Sequence, residues 1–242
     1  MIVTLFGDLA QNKSDQISGA LLSLLTECIG IKPEAMRVAL HRLRKDGWIV
    51  SEKSGRNSHH RLSEFGFRET LAARPKIYAS HVPSPENWHI RIAQPMSQKS
   101  RLIEDQTHIS QGYLIVGQGV YLGQGHPEPG DPNFLTLNGN LETIPNWLRE
   151  SLADDMIFDG YTTLLTDLDA LSGAVESVGQ LSPLETAALR ILIIHSWRRL
   201  LLRHATLPPK FFPDDWPGTL CRTRVIALLD RLKRPVLSEL QT

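Results

Sequence analysis

Arg37, His41, Arg44 and Lys45 recur at helical spacing. Cationic and titratable groups on one stripe suit one kind of chemistry, contact with an array of anions. On the other side of the same segment Met36, Ala39, Leu40 and Leu43 form an apolar stripe, so one face has to be buried and the other is presented. Pro33 suits the first helical position, Glu34 the positive N-terminal turn, and Gly47 the reversal after Asp46. A charged helix face is most often simply solvated. The residues after Gly47 favour a different reading. Trp48-Ile49-Val50 and Ser58-His59-His60-Arg61-Leu62 read as two strands around a polar tip, Ser54-Gly55-Arg56-Asn57. Alternation counted from Leu62 turns His60 inward and leaves His59 and Arg61 facing out beside Lys53 and Arg56.

A charged helix, a Gly-Trp step and a basic two-stranded ribbon come in the order of a winged helix-turn-helix. The pattern predicts that Arg37, His41, Arg44 and Lys45 enter a major groove of double-stranded DNA, while Lys53, Arg56, Asn57, His59 and Arg61 lie along neighbouring phosphates. Arg37 and Arg44 could read guanine through paired donors. Two rival classes share these features. One is a protein-interaction module; the other is an enzyme of acyl-CoA or nucleic acid metabolism that uses the winged helix for docking.

The elements that hold the stripe in place can be taken in order. Ile2 to Leu9 reads as a short covering helix, and Ile17, Leu21, Leu24, Leu25 and Cys28 as the stripe of a second helix closed by Gly30. Ser63 caps a further stretch to Tyr78 that carries Phe65, Leu71 and Ile77. Val82-Pro83-Ser84-Pro85 is a stiff linker. Beyond it Trp88 to Ile92, Gly112 to Val116, Gly119 to Leu122 and Phe134 to Leu137 read as strands. Helical spacing appears from Ser97 to Ile109, at Leu102, Ile103 and Gln106, near Asn146 to Met156, and near Thr163 to Val178. From Ser182 to Trp197 a helix is apolar nearly all round, which requires burial in a core or across a subunit interface. An irregular connection, Leu207 to Gly218, precedes a last helix from Leu220 to Leu232. The expected fold class is α+β: an N-terminal winged helix-turn-helix domain (1–80), a central ferredoxin-like α+β domain (81–180) with an effector or dimer role, and a C-terminal helical domain (181–242).

The 242 residues carry no net charge, yet the segments differ: +4 over 1–80, −9 over 81–180 and +5 over 181–242. The acidic middle repels phosphate and is expected to do another job. Arg198, Arg199 and Arg203 could neutralise an anionic ligand or pair with that acidic middle, and the segment charges favour pairing. His195 fits a structural hydrogen bond within the buried helix. Cys28 and Cys221 have no metal or disulfide spacing and read as small apolar fillers.

No GxSxG, HExxH or paired Cys/His pattern points to a catalytic or metal site, and no cofactor is implied. Gly117-Gln118-Gly119 and Gly123-Gln124-Gly125 lack nucleotide-loop spacing. They lead into Pro127, Pro129 and Pro132 where such a loop needs a helix, so they read as turn glycines. Asp154, Asp155 and Asp159 read as a solvated helix end. The start lacks the regions of a signal peptide, and the apolar run from Leu189 to Leu202 is short and broken by arginines. A cytoplasmic protein with no membrane partner is expected.

The chain resembles the PaaX family of bacterial transcriptional repressors, which control phenylacetate catabolism. The resemblance rests on Val3-Thr4-Leu5-Phe6-Gly7-Asp8, on Met36-Arg37-Val38-Ala39-Leu40-His41-Arg42-Leu43 with Asp46-Gly47-Trp48, and on Gly55-Arg56-Asn57-Ser58 through Arg61-Leu62-Ser63. Near the C-terminus it rests on His195-Ser196-Trp197-Arg198-Arg199, Leu207-Pro208 and Pro213-Asp214-Asp215-Trp216-Pro217-Gly218. Lys32 stands where such helices commonly have a capping Ser, and His59-His60 where the ribbon commonly has tyrosines. The resemblance implies a homodimer on an inverted-repeat operator, released by an acyl-CoA effector such as phenylacetyl-CoA.

Overall fold

The computed structural model describes residues 1–55, 57–127 and 130–240. They fall into two compact units that interleave along the chain: 1–80, 160–201 and 217–242 in the first, 81–159 and 202–216 in the second. Both are mixtures of helix and antiparallel sheet.

The first unit begins with α1 (Ile2–Leu9), whose Ile2, Leu5, Phe6 and Leu9 are buried at the spacing of a single helix face. Ile17 does not start the second helix as expected. With Ser18 it forms a two-residue strand, β1 (Ile17–Ser18), and the Ser18 hydroxyl caps α2 (Gly19–Cys28) by accepting from the Leu21 amide at 3.2 Å. The helix is thereby rotated relative to the sequence expectation. Leu21, Leu22, Leu25 and Thr26 face in, whereas Leu24 and Cys28 are exposed, so Cys28 is not a core filler. Next come α3 (Pro33–Lys45), β2 (Ile49–Ser54), β3 (Asn57–Leu62) and α4 (Glu64–Tyr78), with β3 central in an antiparallel sheet of order β1-β3-β2. Ser63 caps α4 through the Gly66 amide at 3.0 Å; Ile77 is buried, but Phe65 and Leu71 are exposed.

Past residue 80 the compact units do not follow the consecutive division expected from sequence. The two long C-terminal helices, α8 (Pro183–Leu201) and α9 (Pro217–Arg231), belong with the N-terminal elements. Ala187 and Ile191 of α8 share a core with Leu5, Phe6, Leu22, Leu25, Met36 and Leu40. A largely apolar helix needs cover, and α1, α2, α4 and α9 supply it from within the chain, leaving Leu192 exposed.

Polar bonds fix that arrangement. Arg190 grips the buried Asp8 carboxylate with two hydrogen bonds, Nε to Oδ2 at 2.8 Å and Nη2 to Oδ1 at 2.7 Å, and also donates to the carbonyls of Leu229 and Leu232. The Tyr78 hydroxyl donates to the same carboxylate at 3.0 Å. The Trp197 indole N–H donates to the Ile77 carbonyl at 3.0 Å, and Arg222 donates to the carbonyls of Lys76 and Ala79. Cys221 is buried with its thiol donating to the Tyr161 carbonyl, and burial pushes its pKa up to about 12.

The second unit is built on β4 (Trp88–Ala93), α5 (Gln98–Ser110), β5 (Leu114–Gly117), β6 (Val120–Gln124) and β7 (Phe134–Gly139), with α6 (Asn146–Leu152) next in the chain. The sheet is antiparallel in the order β5-β6-β4-β7. That is the strand order of a ferredoxin-like sheet. The second crossover helix of that fold is absent from the described residues between β6 and β7. The face of α5 is also inverted relative to expectation: Leu102 and Ile103 are exposed while His108 is buried, stacked on Tyr121 at 3.9 Å. Between α6 and α8 the chain forms one helix, α7 (Asp155–Ser177), and the division between the units falls inside it.

Candidate nucleic-acid interface

The candidate interface is the face of α3 with the β2–β3 ribbon beside it. Pro33 opens the helix and Glu34 occupies its first turn. Lys32 at the cap gives no side-chain hydrogen bond, so the first turn relies on Pro33, which has no amide hydrogen to satisfy, and on the favourable charge of Glu34. Arg42, Arg44 and Lys45 sit in the last turn, where cations suit the negative end of the helix, and Gly47 takes φ +75° to turn the chain into β2. Met36 and Leu40 are buried, with the Thr26 hydroxyl 3.5 Å from the Met36 sulfur. This packing fixes the rotation of the helix and leaves Arg37, His41, Arg44 and Lys45 all exposed.

Two residues that sequence reading passed over share that exposed surface. Val38 is 69% exposed, and the Arg42 side chain 83% exposed. A helical wheel carries the signal for both, since Val38 lies one turn from His41 and from Arg42. A single exposed valine is ordinary on a solvated face, but its methyl groups are also of the kind that can meet a thymine methyl. Carboxylates hold some of the cations loosely: Glu34 pairs with Arg37 at 3.0 Å and Asp46 with Arg42 at 3.6 Å. Exposed pairs of this kind are worth only about 0–1 kcal/mol, so an incoming phosphate can replace the carboxylate.

The ribbon is registered by the pairs Ile49↔Leu62, Ser51↔His60, Lys53↔Ser58 and Ser54↔Asn57. His60 faces inward and is buried, with Nδ1 2.7 Å from the Ser51 hydroxyl and Nε2 3.2 Å from that of Ser58. Burial holds its pKa below the ordinary histidine range, and the charges of Arg44 and His59 push the same way. The influence of Arg44 at His60 links the helix cations electrostatically to the ribbon. At Gly19 any side chain would collide with the Ser58 hydroxyl, so glycine there lets α2 approach the ribbon closely.

The remaining expected contacts are divided between two faces of the ribbon. His59 and Arg61 are half-buried on the face shared with Glu52, and Arg61 pairs with Glu52 at 3.3 Å. Lys53 is exposed on the opposite face, the one that carries Ser51 and His60. It therefore does not stand beside His59 and Arg61, because directly paired residues share a face and the register puts Lys53 across from Ser58. Asn57 is exposed near the tip. Arg56 lies outside the described residues. Among the described residues no group of three or more His, Cys, Asp or Glu could hold a metal ion, and no helix is long and apolar enough to cross a membrane.

Comparison with known proteins gives a consistent set of similarities. Residues 1–66 match the model of a family described as PaaX-like protein, and residues 153–238 match that described as PaaX-like protein C-terminal domain. The chain is 25% identical to the transcriptional repressor PaaX of Escherichia coli (strain K12) over 268 aligned positions, covering 98% of this chain and 81% of that one. Among solved structures, an uncharacterized protein from Mycobacterium tuberculosis, Rv0674, aligns with a TM-score of 0.59 at 20% identity, over 100% of this chain and 97% of that one. At that identity the likeness concerns the fold alone.

Proposed function

The chain belongs to the PaaX-like family, and from that premise we propose that it is a DNA-binding transcriptional regulator, a repressor of a phenylacetate-type catabolic operon, rather than an enzyme. In this reading α2 and α3 form a helix-turn-helix and the β2–β3 ribbon is its wing. The observation that carries the reading is the division of labour on α3. Met36 and Leu40 alone are buried, and Arg37, His41, Arg44 and Lys45 stay exposed beside an exposed Val38.

Arg37 and Arg44 reach base edges, His41 and Lys45 the flanking phosphates, and Val38 a thymine methyl. Asn57, His59 and Arg61 on one face of the ribbon and Lys53 on the other bind backbone, and Arg56, by its place in the sequence between Gly55 and Asn57, is a further phosphate contact. A homodimer places two such helices about 34–36 Å apart on an inverted repeat. An acyl-CoA effector, phenylacetyl-CoA by family resemblance, releases the operator by favouring a dimer geometry in which the two helices no longer match successive grooves. The protein acts in the cytoplasm.

The test is selection of bound fragments from the genome of origin, followed by titration of the enriched duplex and a random duplex at several salt concentrations. A steep salt dependence shared by both duplexes, with a clear preference for the enriched one, is the expected result. Failure to bind any duplex at low salt sinks the reading.

A further inference from the structure

The last turn of α8 carries two cations that the protein leaves without a counter-ion. Among the described residues neither Arg198 nor Arg199 pairs with a carboxylate, whereas Arg190, Arg224 and Arg231 of the same unit each do. His195 lies one turn before them, at the i, i+3, i+4 spacing that brings three side chains to one helix face. Thr4 of α1 meets that face. Its hydroxyl accepts from Arg198 Nη1 at 3.1 Å and stands 3.2 Å from His195 Nδ1. The hydroxyl is buried, and Nδ1 is the one acceptor within its reach among the described residues. It therefore donates to Nδ1, and the proton of the neutral ring sits on Nε2, on the side away from Thr4. His195 and Arg198 are half-buried and Arg199 is exposed, so the group is shielded on one side and open on the other.

Charges of one sign crowded together oppose folding unless something offsets them. The groups that face the cluster are the Met1 amino group and Thr4 from α1, Tyr78 from α4, and the cluster's own members on α8; none is an acid ionised at neutral pH. Burial lowers the His195 pKa to about 4, and the Met1 amino group, Arg198 and Arg199 add to the effect. The negative end of α8 offsets part of the excess, but it amounts to roughly half a charge against two guanidinium groups. We infer that His195, Arg198 and Arg199 form a binding site for a phosphate group, free in solution or carried by a small molecule. One guanidinium fork already occupies both oxygens of a carboxylate, whereas the tetrahedral oxygens of a phosphate can accept from two forks and an imidazole N–H together. The site lies at the surface, so the rest of a larger ligand stays in solvent. It stands apart from the regulatory reading, since it asks nothing of α3 or the ribbon.

Calorimetry on the full chain, near neutral pH and at low salt, with inorganic phosphate, adenosine monophosphate and acetate tests the inference. Phosphate should bind saturably, and acetate at least about tenfold more weakly. Tighter binding of the nucleotide than of phosphate assigns the site to a phosphate on a larger molecule; equal or weaker binding assigns it to the free ion. Arg199→Gln, at an exposed position that the fold does not need, should weaken phosphate binding about tenfold. Arg199→Lys keeps the charge but not the fork and should weaken it by about a few-fold. Arg224→Gln removes a positive charge elsewhere in the same unit and should leave the affinity within about twofold. A merely structural cluster would not couple to the ring, so nuclear magnetic resonance supplies a second readout. Saturating sulfate, a tetrahedral dianion that does not titrate in this range, should raise the His195 pKa from about 4. Phosphate and nucleotide that both fail to bind, acetate that binds as well, an Arg224→Gln loss as large as that of Arg199→Gln, or a His195 titration unmoved by sulfate each overturn the proposal. Duplex binding is read on the same samples. A loss of duplex affinity in Arg199→Gln without any phosphate binding moves the cluster to the DNA backbone and overturns the site. Phosphate binding in a chain that binds no duplex keeps the site and refutes only the regulator.

Discussion

Arg37 on α3 and Arg190 on α8 carry the same guanidinium to opposite fates. Arg37 projects into solvent with its side chain 68% exposed and a loose partner in Glu34. Arg190 is 5% exposed, clamped on a carboxylate with no exposure at all, and satisfied by two further carbonyls. The first costs the fold almost nothing to keep and is free to meet a ligand; the second is held inside the fold, each of its three guanidinium nitrogens already donating to a protein oxygen. Surroundings, not residue type, divide the arginines of this unit into those left open to solvent and those that hold the fold. The largest effect is expected where that division is strictest. Asp8→Ala leaves Arg190 buried and unpaired and should cost about 3–5 kcal/mol in urea unfolding. The double replacement Asp8→Leu with Arg190→Met should recover much of the loss, since removing both charges leaves no orphan. A loss near zero for Asp8→Ala would erase the contrast.

On α3 the same operation should leave the fold alone and damage recognition. Arg37→Ala should move stability by no more than about 0.5 kcal/mol. It should cost about 1–3 kcal/mol on the enriched duplex, with relaxed discrimination at one base pair. Equal losses on enriched and random duplexes would demote Arg37 to a phosphate contact. Lys45→Ala should behave in that second way: affinity falls on every sequence, and the slope of log affinity against log salt becomes shallower by about 0.9. An unchanged slope would place Lys45 away from the DNA.

How far these assignments could be read in the sequence depends on the range of the interactions behind them. The two faces of α3 and the inward turn of His60 were legible, because helix and strand periodicities repeat within a few residues. The face of Lys53 was not, since it depends on pairing across the tip rather than on position along one strand. Nor was the membership of α8 in the first unit, which depends on Asp8 meeting Arg190 182 residues away. The exposed Leu102 and Ile103 of α5 show the limit of periodicity itself. There the ring stack of His108 on Tyr121 decided which side faced the sheet, and the apolar positions yielded.

The smallest expected effect separates two histidines across the same divide. Burial lowers both pKa values, His60 in the ribbon and His195 on α8. His195 falls to about 4 from 6.5, with the Met1 amino group, Arg198 and Arg199 adding to the effect of burial. A group with a depressed folded pKa binds fewer protons folded than unfolded, so acid favours the unfolded chain. The stability that the neutral ring contributes is whole above 6.5 and is lost as pH falls through the window down to about 4. His195→Gln can keep a hydrogen bond to the Thr4 hydroxyl, now 3.2 Å from the His195 Nδ1, without titrating. Thermal unfolding across that window should therefore show a smaller acid loss of Tm in His195→Gln than in the parent chain. Carboxylates that titrate near the acid end contribute to both proteins and cancel in the difference. At His60, by contrast, a bound duplex brings phosphates towards the ribbon and should raise the depressed pKa, so part of the acid loss should disappear when DNA is present. A duplex that left the acid response unchanged would separate His60 from the phosphates, and identical acid losses in His195→Gln and the parent would show that the buried ring on α8 does not govern the response.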